Sequence, residues 1–388
     1  MRKVTLLLAT IAATVLLTAG LALTQPPEGG DSSRYIVVFD NSVSEPGQAA
    51  NAVARSHGLG VGLVYGHALK GFSAVIPNER VAAVRADKRV EYVEPDKTYY
   101  AVAQTLPWGI KRIDADTSST RAGNGSGSVS NVNAYIIDSG IDLRHPDLNV
   151  DVKRYVNFTG DGMNYDCFGH GTHVAGIVAA KDNARAVVGV APGAPLTGVK
   201  VLGCNSSGSL IKILDGIDWV TANAKKPAIA NMSLSGPTSQ TLDDAVRRSA
   251  GSGVFYSIAA GNSGAKACNY SPARAGAGTD NGIVTTAATD KYEREYSSNY
   301  GSSNYGSCVD VWAPGVRILS TQKGGGTAKM TGTSQAAAHV GGGGALYLSS
   351  HPNAGPSSVE GVLKQAAKRT TNKRKSGSTI VREYVGGF

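Results

Sequence analysis

From residue 133 onward the apolar positions alternate between two patterns. Short unbroken runs of Val, Ile and Ala at 133–137, 198–202, 229–234, 254–259 and 283–287 are separated by stretches with helical spacing at 171–181, 210–224 and 241–252. A strand that is apolar at consecutive positions is buried on both faces, and intervening helices make such strands parallel. The pattern predicts an α/β domain with a central, mostly parallel sheet flanked by helices, running from about residue 105 to the C-terminus. The earlier part reads differently. It is strand-like at 35–39, helical at 48–57 with Gly58 closing the helix, and strand-like at 64–65 and 72–76. A helix capped by Asn78 and ending near 86 follows, then a strand at 90–93. The order β-α-β-β-α-β predicts a small ferredoxin-like α+β unit over 34–100.

Composition changes this picture only at its edges. With 41 % hydrophobic and 17 % charged residues the chain is globular, and 49 glycines predict many turns and close backbone contacts. Arg2 and Lys3 precede an uncharged run at 4–23, and a polar Gln25-Pro26-Pro27-Glu28 follows. That order is expected of a secretory signal peptide, residues 1–24, and predicts a secreted, extracellular protein. No other stretch approaches the roughly 20 apolar residues needed to span a bilayer, so stable membrane association is not expected. The four cysteines, Cys167, Cys204, Cys268 and Cys308, are even in number, which in an exported chain predicts disulfides with three possible pairings. The net charge of +9 and the basic run at 368–375 come without a recognition motif. They read as a solvated tail or helix end, and neither nucleic-acid binding nor an oligomer beyond the monomer is expected.

Three segments carry candidate chemistry. Asp138 ends the apolar run "AYIID", at the strand end where α/β sheets build their sites. A carboxylate there needs a partner or it is expensive to desolvate. His170 stands between two glycines in "GHGTHVAG", and His173 follows three residues on. A zinc pair would be expected to carry the Glu of H-E-x-x-H, which is missing, so the readings left are catalytic base or satisfied core histidine. Ser334 enters an alanine-rich helix in "TGTSQAAAHV" and reads either as an N-cap or as a nucleophile at a helix mouth. The chain order Asp…His…Ser is one of the known arrangements of the nucleophilic triad, and it favours the nucleophile.

The motifs "YIIDSGID" (135–142), "GHGTHVAG" (169–176), "AAGNSG" (259–264) and "GTSQAAAHV" (332–340) resemble those of subtilisin-like serine proteases of the proteinase K and aqualysin branch. The likeness extends through "PWGIKRID" (107–114), "ACNYSPA" (267–273) and "SNYGSCVDVWAPG" (303–315), and residues 34–100 resemble the family's inhibitory propeptide. The resemblance implies a serine endopeptidase domain over 101–388, made as a self-processing zymogen cleaved near Tyr100–Ala101. Asp138, His170 and Ser334 would form the triad, and Asn262 would line the oxyanion hole. Protein or peptide substrates would bind as an added strand between Ser206-Ser207-Gly208 and Ser233-Leu234-Ser235-Gly236, with apolar or aromatic P1 residues preferred. The resemblance also implies Cys167–Cys204 and Cys268–Cys308 disulfides. It further implies a structural calcium ion on Asp310, completed by carbonyls near Asn281 and Ile283.

The chain departs from the family in several places. Gln335 and Ala338 stand where Met and Pro are usual, and Ser235 replaces a Gly. The loop 274–282 is long, and Gly341–Gly344 puts four helix-weakening residues behind the serine. That glycine run motivates a competing expectation of a non-catalytic peptide binder. A third reading is a scaffold or inhibitor role led by 34–100.

Overall fold

The computed structural model describes residues 32–96, 104–278, 280–373 and 379–388. The expected signal peptide and the expected cleavage point at Tyr100–Ala101 lie outside the described residues. The chain divides after residue 100 into two compact units.

The first unit follows the βαββαβ order: β1 (Ser32–Phe39), α1 (Pro46–His57), β2 (Val64–Tyr65), β3 (Gly71–Pro77), α2 (Asn78–Arg85) and β4 (Val90–Pro95). Its antiparallel sheet has the order β2-β3-β1-β4. Val37, Phe39, Val53, Phe72 and Ile76 form a core of their own. Gly58 ends α1 in the left-handed region (φ 63°) as expected, a conformation that suits glycine. Asn78 is not the cap of α2 but its first residue. Pro77, extended at φ −59° and ψ 139°, delivers the chain into the helix.

The second unit contains α3 (Trp108–Arg112), β5 (Asn133–Asp138), β6 (Val156–Asn157), α4 (His170–Ala179), β7 (Leu196–Lys200), α5 (Leu210–Asn223), β8 (Ala228–Met232), α6 (Gln240–Gly251), β9 (Val254–Ala259) and β10 (Ile283–Thr289). The short β11 (Ser297–Ser298) and β12 (Gly301–Ser302) follow, then β13 (Val311–Pro314), β14 (Ile318–Gln322), β15 (Gly326–Met330), α7 (Thr333–Ser350), α8 (Pro356–Ala366), β16 (Lys368–Lys373) and β17 (Thr379–Arg382). The nine-stranded sheet runs β16-β17-β13-β10-β9-β8-β5-β7-β6. Its pairs are parallel except β16 with β17. Side chains alternate along β5. Ala134 and Ile136 join the core packed with α4 and α7, while Tyr135 and Ile137 join that packed with α5 and α6. This double burial is why the strands read as continuous apolar runs.

Residues 368–373 of the basic run form the edge strand β16 and not a solvated tail. Lysines and arginines suit an edge because they blunt pairing with other chains. Both disulfides, Cys167–Cys204 and Cys268–Cys308, are formed, closing separations of 37 and 40 residues. Each contributes roughly 3–4 kcal/mol in the chain-entropy picture.

The glycine run has a packing reason. A Cβ at Gly342 would lie 2.5 Å from Val190, at Gly343 2.6 Å from a Glu383 carboxylate oxygen, and at Gly344 2.6 Å from the Phe255 ring. Helix α7 is buried almost throughout. The close approach recovers in dispersion what each glycine costs in helix propensity, about 1 kcal/mol.

Glu383 is fully enclosed at this contact, with neither carboxyl oxygen hydrogen-bonded among the described residues. Burial pushes it up to about 8, against a smaller lowering by the Arg382 charge. The folded state therefore holds a proton that the unfolded chain releases near its ordinary value, so stability falls as pH rises from about 4.5 to 8. Glu383→Gln removes that slope. In an inactive background the unfolding free energy of the variant, read from thermal melts, should match the parent at pH 4 and exceed it at pH 9, by a few kcal/mol in order of magnitude. An equal difference at both pH values would contradict the assignment.

Candidate active site

Strand β5 ends at Asp138, and the fully buried carboxylate points to the first residue of α4. His170 Nδ1 lies 2.8 and 3.0 Å from the two Asp138 oxygens, and the Ser139 N–H donates to Oδ1 at 2.7 Å. Burial alone would lower the His170 pKa. The Asp138 charge and hydrogen bond outweigh it, with a smaller Asp166 contribution, and the net direction is upward.

The turn that presents His170 is organised by Asp166. Its carboxylate accepts from Ser139 Oγ (2.9 Å), the N–H groups of Phe168 (3.1 Å), Gly169 (2.7 Å) and Thr172 (2.8 Å), and Thr172 Oγ1 (2.6 Å). Gly171 is obligatory, because a Cβ there would meet the Gly140 carbonyl at 2.0 Å. Asp166 escaped the sequence reading. Its signal was an Asp three residues before a Gly, a pattern of side-chain-to-backbone turns. Lys200, fully buried opposite Asp138 in the β5–β7 register, also went unnoticed inside an apolar run. Its ammonium donates to the Ser139 and Leu202 carbonyls at 2.9 and 3.0 Å.

His173 is a core histidine, bonded through one ring nitrogen only among the described residues. Its Nε2 faces the Ile318 and Ala328 carbonyls at 3.1 Å each, and burial pushes it down to about 4, so the ring stays neutral.

Ser334 is not a cap. Gly332 holds the N-cap position of α7, and Ser334 is the helix's second residue. The residue is 9 % exposed and its hydroxyl donates to the Ser233 carbonyl at 3.2 Å, while Ser233 Oγ donates back to the Ser334 carbonyl at 2.8 Å. Among the described residues that carbonyl, and not the His170 ring, is the partner of the Ser334 hydroxyl. Asn262 is fixed by Thr333, whose N–H (2.8 Å) and Oγ1 (3.1 Å) both donate to its side-chain oxygen. The Asn262 NH₂ is thereby left to face the cleft. Thr333 also accepts the Gly261 N–H at 3.0 Å, and it is a further residue the sequence reading passed over, although it adjoins the serine.

One cleft of about 650 Å³ collects these groups. His170, Asn262 and Ser334 line it, with Ser206, Ser207 and Gly208 on one wall and Ser233, Leu234, Ser235 and Gly236 on another. The Cys167–Cys204 bridge ties the segment before His170 to the loop bearing Ser206. The arrangement supplies a base oriented by a carboxylate, a hydroxyl at a helix N-terminus and an amide donor, the parts needed for acyl transfer.

Asp310 lies elsewhere, at the start of β13, where Oδ2 accepts the Thr285 N–H at 2.8 Å. A hard cation would need several free oxygens around it. The N–H groups of Asn281, Gly282 and Ile283 instead point at Glu360, and the Lys364 ammonium stands among the acidic groups. These residues do not fit a calcium ion.

Known proteins resemble this chain over most of its length. Residues 130–386 match the Subtilase family, and 34–101 match the Peptidase inhibitor I9 family. The chain is 41 % identical to an extracellular serine proteinase of Thermus sp., over 85 % of this chain and 83 % of that protein. It is 34 % identical to subtilisin E of Bacillus subtilis, over 95 % of each. The crystal structure of a cold-adapted subtilisin-like serine proteinase superposes with a TM-score of 0.62 at 37 % identity, covering 72 % of this chain and 97 % of that one. The chain therefore belongs to the subtilase family: it is a subtilisin-like serine endopeptidase with an I9 inhibitor domain at its N-terminal side.

Proposed function

We propose that the protein is a secreted, broad-specificity endopeptidase, made with a signal peptide over 1–24 and a propeptide over 34–100 that it removes itself. Ser334 Oγ attacks the scissile carbonyl while its proton passes to His170 Nε2. The tetrahedral intermediate collapses as the leaving amine takes that proton, and water repeats the cycle on the acyl-enzyme. Asp138 holds the ring tautomer and stabilises the imidazolium. The Asn262 NH₂ and the Ser334 N–H receive the oxyanion. A rotation about the Ser334 Cα–Cβ bond, between staggered wells, carries the hydroxyl from the Ser233 carbonyl towards the imidazole. Substrate pairs as a strand with 206–208 and 233–236, which reads main chain more than side chain and gives breadth. The apolar lining near Leu234 and Ala259 favours apolar or aromatic P1 groups.

The observation that carries this reading is the Asp138–His170 pair, 2.8 Å apart, at the cleft that also holds Ser334 and Asn262. A fluorophosphonate should label Ser334 in the mature enzyme and fail to label a His170→Ala variant. A folded, unlabelled wild-type protein would sink the proposal and revive the peptide-binder reading. That alternative rested on a loose α7, and the packing of Gly342–Gly344 removes its premise. Asn262→Ala should lower kcat by about 10²–10³ with KM nearly unchanged, because the lost donor acts on the transition state. A comparable rise in KM at constant kcat would assign Asn262 to ground-state binding instead.

A further inference from the structure

Subtilases generally bind structural calcium, yet the Asp310 neighbourhood is already provided with a cation of its own. Glu360 and Lys364 lie one turn apart on α8. Lys364 Nζ donates to Asp280 Oδ1 at 2.8 Å and Glu360 Oε1 at 3.1 Å, and lies 3.9 Å from Asp310 Oδ1. The other oxygens face donors. Glu360 Oε2 accepts the N–H groups of Asn281 (2.6 Å), Gly282 (2.7 Å) and Ile283 (3.3 Å), and Asp310 Oδ2 accepts the Thr285 N–H. Glu360 is fully buried, and the Asp310 side chain is only 11 % exposed. The cluster sits where β10 and β13 begin, at the sheet edge opposite Asp138, so it can hold strand ends without touching the chemistry.

We propose that the Lys364 ammonium stands in for the calcium ion that the family resemblance assigns to Asp310, and that this cluster locks the starts of β10 and β13 independently of metal. An ammonium offers three directed donors, and Lys364 uses two of them on Asp280 and Glu360 while facing Asp310 at ion-pair distance. A calcium ion would need six to eight oxygens, and these carboxylates already spend oxygens on N–H groups. It would also have to displace Lys364 or share the site with it, two cations within about 4 Å.

The test uses full-length protein in a Ser334→Ala background, which prevents autolysis, with thermal midpoints read in EDTA and in millimolar calcium chloride. Asp310→Asn should lower the midpoint by the same amount in both, so the increment due to calcium equals the parent's. Lys364→Met should lower the midpoint by several degrees in EDTA and gain a calcium-dependent recovery larger than the parent's, since the carboxylates lose their counter-cation. A parent increment that Asp310→Asn abolishes would overturn the proposal, as would a Lys364→Met protein indistinguishable from the parent in both buffers. Should Lys364→Met fail to fold, the Asp310→Asn comparison decides alone.

Discussion

Replacing Ser334 by alanine is expected to lower kcat by about 10⁶-fold, the usual cost of removing the nucleophile from such a triad. KM should change little, since the cleft walls at 206–208 and 233–236 remain. The oxyanion donors would still supply a residual acceleration of about 10³–10⁴ over water. The same substitution should leave residues 34–100 covalently attached, because the proposed acyl-enzyme forms on the Ser334 hydroxyl. Intact mass and N-terminal sequencing of purified Ser334→Ala, expressed without another protease, read this directly. Processing at the wild-type position in that variant would contradict self-cleavage. Retention of more than a small fraction of the activity would contradict the nucleophile assignment itself.

The second large effect is expected at Asp138. Asp138→Asn keeps the size of the side chain but removes the charge that fixes Nδ1–H on His170, and kcat should fall by about 10⁴-fold. The pH profile distinguishes this from a folding defect. In the wild type, Asp138 raises the His170 pKa against the opposing effect of burial. The base is neutral only above that raised value, so kcat/KM should climb with pH through a point above the ordinary imidazole value of about 6.5. Without the carboxylate, burial dominates and the acid limb should move to lower pH even as the plateau collapses. An unshifted limb with a lowered plateau would mean that Asp138 orients the ring without setting its charge.

The elements most legible from the chain alone were those whose burial is symmetrical. Strands β5, β8, β9 and β10 and helices α5 and α6 were all recognisable from apolar runs and helical spacing, to within a few residues at their ends. The strands after β10 were not. β13 is four residues long behind a cysteine-containing loop, β14 and β15 pair through a Gly-rich turn with one mostly buried and one mostly exposed arm, and β16 carries the basic run. Short, edge and hairpin strands offer too few regularly buried positions to carry a periodic signal. At the site, motif order picked out Asp138, His170, Asn262 and Ser334, but not Asp166, Thr333 or Lys200. Asp166 and Lys200 act mainly on backbone groups, through a five-donor carboxylate and a buried ammonium, and Thr333 clamps the Asn262 side-chain oxygen with its own N–H and hydroxyl. A side chain that serves backbone has no partner residue in the sequence to betray it.

By itself, the sequence determined that the chain has two units, that the larger is a parallel α/β sheet, and that an acid, a base and a hydroxyl follow one another in an order used for acyl transfer. Burial periodicity and residue chemistry are local properties, and they survive being read one position at a time. Only the tertiary structure decided that Ser334 lies inside its helix and not at the cap, that three of the four glycines, Gly342–Gly344, serve close contacts although propensity alone would weaken the helix, and that Lys364 takes the place beside Asp310. Each of these depends on what approaches from a distant part of the chain within 3–4 Å, and packing at that range is settled by the fold as a whole.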